Sequence, residues 1–117
     1  MATEEQIREC ARSAAEHLRM FGWVCGGAYS PAGPCCADGA ITVTARGQVD
    51  KNHAATLTLA VAKRVVTMIP ECFMVDSGPT GRRDSRVAMM MWNDAPSRTA
   101  TEVIAVLERV AAGEGAS

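Results

Sequence analysis

Residues 50 to 69, "DKNHAATLTLAVAKRVVTMI", set the strongest constraint on the fold of this chain. Leu57, Val61, Val65 and Met68 line one face of a helical period, and Leu59, Ala62, Val66 and Ile69 line another. Beyond His53 only Lys63 and Arg64 are charged. A helix apolar on most of its circumference is stable only when other elements surround it. The remaining residues of a 117-residue chain suffice for one such core.

The flanking sequence supplies partners for this central helix. Thr3 followed by Gln6 reads as a capping box, and Ile7, Cys10, Ala11, Ala14, Leu18 and Phe21 recur at helical spacing, which predicts a first helix over about 4 to 21. Its outer face pairs Glu4/Arg8, Glu5/Arg8, Glu9/Arg12 and Glu16/Arg19 at spacings of three or four, a solvated surface. Thr99 with Glu102 forms a second capping box, and Val103, Val106, Leu107 and Val110 make an amphipathic last helix to about 112. Pro70 is expected to end the central helix. Residues 113–117 should fray as a tail to one domain spanning 1–117.

Between these helices the pattern weakens. Residues 22 to 36, "GWVCGGAYSPAGPCC", hold four glycines and two prolines and read as a long loop. The segment "SGPTGRRDSR" is turn-rich and expected to be the most mobile. "VAMMMW" is apolar but too short for periodicity to choose between helix and strand. Residues 40–46 alternate as a strand would, whereas Pro34 just upstream suits a helix start. The expected architecture is therefore mainly α, about four helices with a long Gly/Pro loop, and one short extended segment or hairpin left open. The chain has only two Trp, one Tyr and two Phe. Small residues must fill its core, and the loop aromatics Trp23 and Tyr29 are expected to plug that core unless they stack on a ligand.

A net charge of −1 and a pI of about 6.1 give no global field toward nucleic acid or an anionic membrane. No apolar run reaches membrane-spanning length, and the acids in "MATEEQIREC" are unlike a secretory signal, so a cytoplasmic protein is expected. The odd count of five cysteines in that setting favours free thiols.

Three constellations carry chemistry. Cys36, after Gly33-Pro34, would be an activated nucleophile if it sat in the first turn of a helix, where backbone N–H groups stabilise a thiolate. His53 or His17 would be its base, and Asn93 or Asp94 the orienting group. Arg82, Arg83 and Arg86 in the polar loop, with Arg98, form a candidate anion or nucleotide site. Trp92, Asn93 and Asp94 make a turn that opens the last helix, with Trp92 as its core anchor. Chain geometry alone accounts for that turn, except for the presence of both Asn and Asp. Cys25, Cys35, Cys36, Cys72, His17 and His53 have no metal-ligand spacing, so no metal and no cofactor is expected.

The ordered set "GWVCGGAY", "CADGAI" and "WNDAPSRTATEVIAVLERVA" resembles a family of small uncharacterised proteins from actinobacteria and their phages. The likeness runs from about Gly22 to Ala112 on Gly22, Trp23, Gly27, Ala28, Cys36, Gly39, Ala40, Trp92, Asn93, Asp94, Arg98 and Thr99. The resemblance implies no activity, and it implies that residues 35–46 are helical. Trp23, Tyr29 and Cys36 are expected to meet Trp92 to Asp94 against the central helix, in the one concave, partly aromatic place on the surface.

The leading expectation is a non-enzymatic binding or interaction protein, a phage-encoded accessory protein that engages a protein partner in the host cytoplasm. A cysteine-dependent hydrolase or transferase on Cys36 and an anion binder on the arginine loop are the alternatives. Self-association is left open.

Overall fold

A computed structural model of the chain describes residues 2–116 other than 77 and 80. Among the described residues are five α-helices: α1 (Glu4–Phe21), α2 (Ala37–Gln48), α3 (Lys51–Val66), α4 (Ser85–Asn93) and α5 (Ala100–Ala111). One 3-10 turn, Glu71–Met74, precedes α4. The helix α3 packs against all four others, as its nearly all-round apolar surface requires. Its Leu57, Val61, Ala62 and Val65 are fully buried.

Both capping boxes form. Thr3 and Gln6 exchange backbone-to-side-chain bonds at the start of α1, and Thr99 and Glu102 do so at the start of α5. The two helices pack side by side, and Arg8 Nε donates to the Ala111 carbonyl at 3.0 Å. Small residues, Cys10, Ala11, Ala14 and Ala15, make the inward face of α1, which allows this close approach. On the outer face Glu9/Arg12 and Glu16/Arg19 pair as expected. Glu4 instead reaches Arg64 on α3, because the first turn of α1 lies within reach of the end of α3.

The count of about four helices is one short, and the fifth is α4, built from the "VAMMMW" segment. Asp84 caps it by accepting from the Arg86 amide at 2.8 Å, and Ala88, Met89, Trp92 and Asn93 bury one stripe. Val87 and Met91, exposed and apolar, blur that stripe in the sequence.

Residues 35–46 are helical from Ala37 onward, with Cys36 as N-cap, and the helix continues to Gln48. Ala37, Ala40, Ile41 and Ala45 turn inward. Burial on the helical period thus outweighs the local alternation. Central α3 stops at Val66, four residues before Pro70, with Thr67 Oγ1 bonding back to Arg64.

The expected extended segment is reduced to two isolated bridges among the described residues, Trp23 with Cys35 and Val75 with Arg82. The loop expected to be mobile includes residues 77 and 80, which lie outside the described residues. The tail begins as a turn in which Glu114 pairs with Arg109 at 2.9 Å; residue 117 lies outside the described residues. Among the described residues no helix is long and apolar enough to cross a membrane.

Candidate functional site

The Gly/Pro loop leaves α1 through Gly22, whose φ of +101° suits glycine, and closes on itself where Val24 N donates to Cys35 O and Cys35 N to Gly22 O. Its far side is held by the turn after α4. Asn93, fully buried, is the hub: its Oδ1 accepts from Trp23 Nε1 at 2.6 Å and from the Ala37 amide at 2.9 Å. Its Nδ2 donates to Asp94 Oδ1 at 2.8 Å and to Val24 O at 3.4 Å. Asp94 Oδ1 also accepts from the Gly26 amide at 2.9 Å.

The pairing of Asn with Asp is thereby explained. Asn93 reaches inward to the loop's indole and to the open N-terminus of α2, while Asp94 ties down the outer strand of the loop. Trp92 anchors the turn as expected: it is buried, with the Arg98 guanidinium 4.6 Å from its ring centroid and Arg98 Nε donating to its carbonyl.

A second polar knot lies beside this clasp. Asp38, fully buried in the first turn of α2, receives both Arg86 Nε and Nη2 at 2.9 Å and the Tyr29 hydroxyl at 2.7 Å. The hydrogen bond to Asp38, with burial, pushes the Tyr29 phenol up to about 12. Sequence reasoning did not single out Asp38. Its one signal was an acid within the apolar run "CCADGAI".

The loop is pressed so closely on α2 that a Cβ at Gly39 would lie 1.9 Å from the Ala28 carbonyl oxygen. Of the expected plugs, Trp23 is partly buried against the core, but Tyr29 stays 41% exposed because its hydroxyl is drawn to the Asp38 knot.

The proposed cysteine chemistry is not assembled. Cys36 Sγ accepts from the Gly39 amide at 3.2 Å, as a helix-start thiol should, yet burial dominates and pushes its thiol up rather than down. His53 is not near it but exposed in the first turn of α3, bonded to Asp50 at 2.8 Å. Asn93 and Asp94 do reach Cys36 and border with it, Gly26, Gly27 and Met90 a void of about 30 Å³, room for about one water.

His17 meets the other member of the vicinal pair, Cys35, at 3.3 Å. The same nitrogen lies 3.0 Å from the Gly33 carbonyl oxygen. A carbonyl only accepts, so Nε2 carries a proton and cannot take one from the thiol. Cys35 itself is fully buried and donates to the Ser30 carbonyl. Site-resolved alkylation at about pH 8 should label exposed Cys25 and Cys72 first and leave Cys10, Cys35 and Cys36 protected. Early labelling of Cys36 would restore the nucleophile.

The arginine loop does not converge either. Arg86 is committed to Asp38, Arg83 donates to Phe73 O, Arg82 pairs with Glu71 at 3.2 Å and Arg98 with Glu102 at 2.9 Å. Among the described residues no three His, Cys, Asp or Glu side chains come together as a metal site.

The fold and clasp thus define a small helical domain whose most elaborate polar centre pins a loop. The chain belongs to a family of unknown function (DUF6197), whose model matches residues 2–113. No curated protein and no solved structure matches it.

Proposed function

We propose that the protein is a non-enzymatic interaction module whose docking face combines the Gly/Pro loop with the outer side of α4. One observation carries this reading. The side chains of Asn93, Asp94, Asp38 and Arg86 are engaged within the protein, while Val87, Met91 and Tyr29 remain 43%, 47% and 41% exposed.

Val87 and Met91 are one helical turn apart on the same side of α4. Met90 borders Gly26 and Gly27, and Gly27 lies against the Tyr29 ring. Apolar side chains on a rigidly held loop and helix suit a protein partner better than a substrate. The finer reading, a phage accessory protein acting on a protein of the host cytoplasm, draws its support from the resemblance noted in the sequence.

The test compares the wild-type chain with V87E/M91E on an actinobacterial lysate. A protein retained by the wild type and lost by the variant, with both melting alike, is the expected result. Equal capture by the two chains, or none above background, would overturn it.

A further inference from the structure

A groove between α2 and α3 carries two exposed cations, Arg46 and Lys51, that have no ion-pair partner among the described residues. It has a volume of about 220 Å³ and is lined by Thr42 and Arg46 from α2, Lys51, Ala54 and Thr58 from α3, and Arg86 from α4. Every other arginine of the described chain has a hydrogen-bonding or ion-paired partner. Arg46 has none among the described residues, and Lys51, across the groove, has none either.

The neighbouring acids do not serve them. Asp38 is engaged by Arg86 and Tyr29, Asp84 caps α4, and Asp50 caps α3 and holds His53.

A second, independent feature points into the same space. Thr42 is only 8% exposed, and its hydroxyl oxygen accepts a long bond of 3.4 Å from Arg86 Nη2. Its proton has no acceptor among the described residues. A nearly buried hydroxyl with an unused donor beside two exposed, unpaired cations offers an anion both charge and a hydrogen bond.

We propose that this groove binds a small phosphate-bearing molecule, held by Arg46, Lys51 and Thr42. Two uncompensated positive charges match a phosphate group, which at neutral pH carries between one and two negative charges. Ala54 and Ala55 form the apolar side against which a short organic group would rest. The volume is enough for a small molecule. The site is separate from the Arg82/Arg83 loop and does not rest on the interaction reading.

The experiment titrates the intact protein with inorganic phosphate, glycerol phosphate and acetate by calorimetry, at low salt and at about 0.15 M salt. Saturable one-site binding of a phosphate species that survives the higher salt is expected, with acetate about tenfold weaker or more. R46A/K51A should lose about tenfold or more in affinity, and T42V a smaller factor. The melting temperatures of R46A/K51A and the wild type are compared alongside, and equal values would show that lost binding does not reflect unfolding. The ester binding more tightly than free phosphate would support contact with the apolar side, and equal binding would support recognition of the phosphate alone. Silence up to about 10 mM phosphate, acetate binding as well as phosphate, or unchanged affinity in R46A/K51A would overturn the site.

Discussion

Replacing Asn93 by alanine is expected to lower unfolding free energy by about 3 kcal/mol, as read from the shift in the urea midpoint at constant slope. The loss comes from the partners left behind. The Ala37 amide sits at the buried start of α2 and the Trp23 indole N–H is partly buried, and each loses its acceptor at Asn93 Oδ1. A buried donor without a partner costs about 1–3 kcal/mol. Asp94→Ala should cost about 1 kcal/mol, because the Gly26 amide it releases is exposed and finds water, and Asn93 Nδ2, which it also releases, keeps the Val24 carbonyl. If Asn93→Ala lost less than Asp94→Ala, the hub would be misassigned.

Arg86→Met is expected to destabilise by about 3–5 kcal/mol, since it strands a fully buried Asp38 carboxylate that keeps only the Tyr29 hydroxyl. The double variant Asp38→Leu/Arg86→Met should recover most of that loss, because the penalty lies in the unpaired charge and not in the absence of the bridge. Urea unfolding of the two single variants and the double variant supplies the cycle. A double variant that falls by the sum of the singles would show that the pair contributes through packing alone.

The helices with a dominant local signal were legible in the sequence, and the others were not. For α1 and α5, capping boxes and a clean apolar stripe leave one reading, and α3 announces itself by length. For α4 the signal failed because Val87 and Met91 sit on its exposed side, so the run looks uniformly apolar although only Ala88, Met89, Trp92 and Asn93 are buried. For α2 the residues alone alternate, and the helix came from the resemblance.

The site divides along the same line. The oddity of two consecutive polar residues after Trp92 was visible, but their partners lie 56 to 70 residues away. No local pattern encodes such contacts. Asp38 and Arg86, 48 residues apart, were missed as a pair for the same reason, and Arg86 was assigned to a loop cluster it does not join. The unpaired state of Arg46 is invisible in any sequence, since it is defined by what the fold fails to bring near.

The span of the clasp bears on the order of events in folding. Its bonds join residues 23–37 to residues 93–94, so the loop gains its outer anchor only when α4 has docked, whereas α1, α2 and α3 follow one another with short or self-closing connections. Closing such distant contacts carries the larger entropic cost and comes late. Interactions formed after the rate-limiting barrier act mainly on the reverse rate. The Trp-Asn-Asp turn is then expected to act as a latch, so that weakening it speeds unfolding more than it slows folding.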